Sequence, residues 1–202
     1  MRLVSILIFS LLLTSCDVKR DYGQQVLLSD GRIIHAKYET VVGPNEFLLP
    51  GQGPTKQLEV TFSSPAGDVV WPGTVPESGR RTGSLFPDAF HLLGDTPVVV
   101  MTVVDGQCPH FGNPENSLVA YAYEQNKWKR ISSDHIPLSW RLNLMGMMNN
   151  RFLQAGHTYT IEEIRGSSLV SIDPQDYSKN NTLEQKIERL RKMRLLCSQK
   201  GT

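Results

Sequence analysis

The chain has little charge imbalance, few cysteines and no apolar run long enough to cross a membrane as a helix. Its 21 Lys and Arg face 20 Asp and Glu, a formal net charge of +1. That balance gives no electrostatic case for nucleic acid as a general partner. The main apolar run, Leu3 to Leu13, is interrupted by Ser5 and Ser10. A spanning helix needs about 20 residues, so the run is too short to be one. The five histidines (His35, His91, His110, His135 and His157) never stand four apart, and no Cys-x-x-Cys occurs. No His-x-x-x-His or Cys-x-x-Cys spacing therefore offers metal ligands from one element, and no cofactor motif is present. A Gly-x-Ser-x-Gly nucleophile elbow is absent, and no internal repeat marks a propeller or solenoid. With 40% apolar residues, the chain nonetheless has the composition of a folded globule.

What is present begins at the N-terminus. Met1 and Arg2 give a short positive start, Leu3 to Leu13 a greasy centre, and Leu13-Thr14-Ser15-Cys16 a small-residue junction. Charge, apolar length and junction together read as a secretory signal. The last four residues resemble the lipobox of bacterial lipoproteins: Leu three places before Cys, small residues between, then the acceptor Cys. The resemblance covers residues 1–16. It implies removal of residues 1–15 and acylation of Cys16. Several acyl chains then hold the protein to the membrane, where one alone would hold it only marginally. Asp17 after the cysteine resembles the enterobacterial signal for retention in the inner membrane, although Val18 is not a reinforcing residue. The implied location is a bacterial membrane, with the domain facing the periplasm.

Losing Arg2 with the signal brings Lys and Arg to 20, equal to the 20 Asp and Glu. With Cys16 reserved for lipid, Cys108 and Cys197 remain in a compartment where disulfides persist. Their pairing is expected, with two separate buried thiols as the alternative. Residues 16–25 read as a short lipidated tether reaching about 30 Å at most, and residues 26–202 as one globular domain.

Along that domain, Val26–Leu28 and Ile33-Ile34 flank Asp30-Gly31, a strong hairpin signal. The second strand runs on to Val42, and Leu58–Phe62 alternates apolar and polar as a half-buried strand does. Val69–Trp71 returns after a turn. Residues 72–87, with Pro76, Arg80, Arg81 and Gly83, read as a long loop of the kind that is often functional. Phe86–Leu93 suggests a helical turn, and Pro97–Val104 a central strand. Ser117–Tyr123 and Trp128–Ile131 read as a strand pair. Leu138–Asn150 fits helix better than strand, and His157–Ile164 is β-prone. Thr182 with Gln185 forms a capping box, and Leu183, Ile187, Leu190, Met193 and Cys197 place one apolar stripe on a terminal helix. The fold class is a β-rich α+β domain, mainly antiparallel, with a C-terminal helix.

The chemical candidates are few, and each has a plain structural alternative. Ser84, Asp88 and His91 supply a nucleophile, an acid and a base in type, with a solvated turn as the alternative. Cys108-Pro109-His110 offers a thiolate and an imidazole only if Cys108 is unpaired. Trp71 with Arg80 and Arg81 forms a candidate binding loop, since Arg forks match carboxylates and other anions. Lys186, Arg189 and Lys192 form a candidate membrane-facing basic helix, against an ordinary solvated face. The leading expectation is a lipid-anchored binding or interaction protein of the cell envelope, partnered by the membrane through its lipid and by an envelope protein. It would serve as an accessory subunit of a complex or as an immunity-type protein. An envelope-acting hydrolase and a structural lipoprotein are the rivals.

Overall fold

A computed structural model describes residues 17–44, 55–64, 67–74, 86–145, 153–166 and 182–197. Among the described residues, nine strands form two sheets. Strands β1 (Val18–Leu27), β2 (Ile33–Val42), β3 (Thr55–Ser64) and β4 (Gly67–Trp71) make an antiparallel meander. The short β9 (Thr158–Tyr159) adds to it in parallel beside Gly23 and Gln24 of β1. Strands β5 (Ala89–Leu93), β6 (Thr96–Thr102), β7 (Leu118–Glu124) and β8 (Lys127–Ile131) make the second antiparallel sheet. Two α-helices, α1 (Ile161–Gly166) and α2 (Leu183–Lys192), and three short 3-10 segments complete the regular elements described. The β-rich α+β class with a C-terminal helix is thus observed.

The sheets pack face to face. On the first, alternation sends Tyr22, Gln24, Val26, Ile34, Ala36, Tyr38, Val60 and Phe62 inward, as the period of two in a strand requires. The Phe62 ring stacks on Phe90 of β5 at 4.1 Å. Trp71 lies 5.4 Å from Tyr121 and 5.2 Å from Trp128. The Trp128 indole N–H donates to the Val70 carbonyl at 2.7 Å, tying β8 to β4. The second sheet is also covered on its other face, where Ala89, Val98, Val100, Ala120 and Ala122 meet Ile136, Trp140 and Leu183. Burial on both faces explains why β6 and β7 read as continuous apolar runs instead of alternating ones. The order is therefore sheet, sheet, then α2 with the 136–142 segment. At its free edge β8 exposes Lys127, Lys129 and Arg130.

The turns follow the sequence closely. Gly31 adopts φ +87° in the β1–β2 turn, which closes with Leu28 N–H donating to the Arg32 carbonyl at 2.8 Å. Gln125 and Asn126 join β7 to β8 with φ of 53° and 60°, the left-handed pair that matches strand twist. Thr182 and Gln185 make the expected reciprocal cap on α2. The Leu183 N–H also donates to the Trp140 carbonyl at 2.9 Å, fixing the helix to the segment beneath it.

Five expectations need correction. Residues 18–25 are not a tether: β1 begins at Val18, and all ten of its residues pair with β2. Its polar composition hid it, because one face is solvent and a buried position is taken by Gln24. Phe86–Leu93 is not helical; Ala89–Leu93 pairs with β6. Residues 138–145 hold no helix; their backbone runs along β5, with Asn143 and Leu144 N–H groups donating to the Asp88 carbonyl. The β-prone stretch at 157–164 yields only two strand residues. Thr160 and Glu163 then cap each other's backbone N–H, at 2.7 and 3.2 Å, and start α1. Finally, the apolar stripe of α2 ends at Leu190. Arg194 takes φ 58°, Arg194 N–H donates to Arg191 and Leu195 N–H to Leu190, a left-handed helix stop. Met193 is left 58% exposed, and Cys197 lies beyond the helix.

Candidate functional site

Cys108 and Cys197 form a disulfide with a Cα–Cα distance of 5.4 Å. Cys108 sits in a 3-10 segment, Asp105–Phe111, that follows β6. Cys197 reaches it after the α2 stop, and its N–H donates to Ser117 Oγ at 2.7 Å. The crosslink thereby pins the end of α2 to the β6–β7 connection. It also removes Cys108 as a thiolate ligand, leaving His110 exposed beside it. Among the described residues no group of three His, Cys, Asp or Glu side chains is placed to hold a metal ion.

His91 is fully buried and spends both ring nitrogens on backbone. Its Nδ1 accepts the Ser29 N–H at 3.1 Å, and its Nε2 donates to the Arg141 carbonyl at 2.9 Å. The ring also packs on Trp140 at 4.7 Å. Burial pushes its pKa down to about 4, only partly offset by the Arg141 carbonyl. Such an imidazole is neutral and fixed, and it joins the β1–β2 turn to β5 and the 141 segment. Asp88 does not face it. The Asp88 carboxylate accepts Thr102 N–H at 2.6 Å, Thr102 Oγ1 at 2.8 Å and Lys186 Nζ at 2.7 Å. The acid and base of the suspected trio thus serve separate structural joints. Ser84 lies outside the described residues.

The candidate binding loop loses its aromatic member. Trp71 is 1% exposed and belongs to the core between the sheets; Arg80 and Arg81 lie outside the described residues. The basic helix is also redistributed. Lys186 turns toward Asp88, and Arg189 is partly buried and partnered. Arg191 pairs with Glu188. Lys192 is exposed, as is Arg194 just past the helix. Cys16 precedes the described residues. Asp17, next to it, is held by Lys56 Nζ at 2.7 Å.

Two features escaped the sequence reading. The first is a polar joint between the sheets. Gln24 Oε1 accepts Tyr38 OH and Met145 N–H, each at 2.7 Å, and its Nε2 donates to the Asn143 carbonyl at 2.8 Å. Asn143 in turn bonds Phe90 N–H, the Phe90 carbonyl and the Leu27 carbonyl. The only signal was parity: Gln24 shares the inward face with Tyr22 and Val26. The second is the outer face of the first sheet, with shallow grooves of about 340 and 310 Å³. One is lined by Lys19, Asp21, Lys37, Glu39 and Glu59, and the other adds His35, Asp68 and Thr158. Lys37 pairs with Glu39 across this surface at 2.7 Å. A mixed-charge solvated face of this kind can present complementary charge to a partner; the second groove also holds Ser63, His35 and Asp68, and among the described residues no side-chain hydrogen bond joins these three.

Comparison with protein-family models, with curated proteins and with solved structures finds no match.

Proposed function

We propose that this chain is a lipid-anchored, periplasm-facing binding or interaction protein of the bacterial cell envelope, either an accessory subunit of an envelope complex or an immunity-type protein. The observation that carries the reading is Leu13-Thr14-Ser15-Cys16 placed at the end of a short signal-like run. Two structural facts support it. A disulfide joins Cys108 to Cys197, as an oxidising compartment favours. The acid and base that suggested hydrolysis, Asp88 and His91, are absorbed into hydrogen bonds that hold the fold. Function then belongs to a surface, and the broad mixed-charge face of the first sheet is the one on offer.

The test is acylation in the cell. Grown with a labelled fatty acid, cells expressing the chain carry label on it at Cys16, and the Cys16→Ala variant carries none and leaves the membrane fraction. Persistent label on the variant refutes the anchor. For the binding role, crosslinking from Lys37 or Glu59 in intact cells captures a discrete envelope protein, which the unacylated variant loses.

A further inference from the structure

We propose that the tip of α2, Lys192 to Leu195, is a second bilayer contact, which lies against anionic lipid and sets how the anchored domain stands. The proposal rests on acylation of Cys16.

Three observations meet at this tip. The first is chemical. The other cations of α2 are engaged: Lys186 by Asp88, Arg191 by Glu188, and Arg189 is partly buried and partnered. Lys192 and Arg194 are exposed and have no ion pair among the described residues. Alternating with them, Met193 is 58% exposed and Leu195 39%, and Met193 is the most exposed large apolar side chain described. Cations alternating with apolar side chains match a bilayer interface, where phosphates take the charge and the acyl boundary takes the thioether and isobutyl groups.

The second observation is that the tip is rigid at a conformational cost. Arg194 occupies the left-handed position that glycine fills most easily. Two bonds of the helix stop fix it, and Cys197 is anchored three residues later through its disulfide and through Ser117. The backbone that carries these exposed side chains is thus pinned at both ends of the tip.

The third observation is position. The β1–β2 turn lies against β5 through Ser29 and His91, and Arg32 feels the charge of Asp95 in the β5–β6 turn. These turns share one end of the sandwich. Strand β1 therefore starts toward the other end, with Asp17 beside Lys56. Strand β6 also runs away from its turn toward Cys108, to which the α2 tip is stapled. The acylated cysteine and the tip approach the membrane from the same end, two contacts that fix an orientation where one would leave the domain free to swivel.

The experiment uses the mature protein as isolated from the membranes of expressing cells, placed in vesicles with brominated acyl chains, and a tryptophan introduced by Met193→Trp. The native Trp71, Trp128 and Trp140 are all buried, so the unsubstituted protein sets the background and reports an intact fold. In vesicles containing phosphatidylglycerol, the introduced tryptophan is quenched roughly twofold more than in phosphatidylcholine alone. High salt, or addition of Lys192→Glu and Arg194→Glu, removes the difference. Mass spectrometry of the same sample reads the acyl mass at Cys16. Acylated Cys16 with an unquenched tryptophan overturns the tip contact alone, and directs attention to a protein partner for this surface. Unmodified Cys16 with a quenched tryptophan overturns the anchor alone. Equal quenching in both lipids, unmoved by the charge reversals, refutes the role given to Lys192 and Arg194.

Discussion

Reducing the Cys108–Cys197 disulfide should cost this fold about as much as its largest single core truncations. The bonded residues are 89 apart in sequence. The chain-entropy relation for a loop of that length gives about 4.6 kcal/mol of lost restraint on the unfolded chain. The native side should lose little. The first half of α2 keeps its Thr182–Gln185 cap, the buried Leu183 and the Lys186–Asp88 pair without help from the crosslink. Its last turn and residues 193–197 lose their pin to Ser117 and Cys108. With a urea slope of about 2 kcal/mol per molar, the midpoint should fall by about 2 M on reduction. Melting should drop by roughly 9–18 °C for a chain of this size. Hydrogen exchange gives an independent readout: the amides of Leu195 and Cys197 should open first while that of Leu183 stays protected. A reduced protein whose midpoint moves by less than about 0.5 M would refute the reasoning, because the loop would then place no effective restraint on the unfolded chain. Simultaneous loss of protection at Leu183 would show instead that the crosslink holds the whole helix.

Two further changes probe the joints beneath. Because the folded His91 takes a second proton only near pH 4 and the unfolded one near 6.5, the unfolded chain binds the extra proton between those values. Stability is therefore lost as pH falls from about 6.5 to 4, by about 3 kcal/mol, and does not depend on this group above about 7. In His91→Gln that acid slope flattens, and urea titrations from pH 4 to 8 that keep the original slope would assign the acid sensitivity elsewhere. Asn143→Ala strands the Phe90 N–H and removes the link to the Leu27 carbonyl. It should cost about 2–4 kcal/mol, visible as a lower urea midpoint with accelerated exchange of the Phe90 amide. Unchanged exchange there would mean that the sheet edge is held by other contacts.

Legibility in the sequence tracked how locally each feature is encoded. The Asp30-Gly31 turn, the Thr182 cap and the β6 run were readable because a few adjacent residues determine them. Burial on both faces even announced the central position of β6. Strand β1 was misread because its inward face mixes Tyr22, Gln24 and Val26, and Gln24 is satisfied by Tyr38 on β2 together with Asn143 and Met145, the last two more than a hundred residues away. The same distance hid the 138–145 segment. Leu138, Leu142 and Met145 do fit a helical stripe, but pairing to Asp88 and Phe90 along β5 outcompetes it. Trp71 shows the limit for sites. An aromatic residue beside a loop looked like a docking group, and only the opposing Tyr121 and Trp128 reveal that it is core. The disulfide was readable by count alone, once Cys16 was assigned elsewhere.

The exposed Lys127, Lys129 and Arg130 on β8 would acquire a sharper meaning if the chain is anchored through Cys16 as proposed. An open strand edge is a template for pairing with a neighbouring copy, and charge is one way to blunt it. Confinement to a plane, with copies held in similar postures, raises the frequency of edge-to-edge encounters far above that in bulk at the same copy number. On that proposal, the cations along β8, of which Lys129 also pairs with Glu124, would repel their counterparts on neighbouring copies and discourage edge-to-edge pairing.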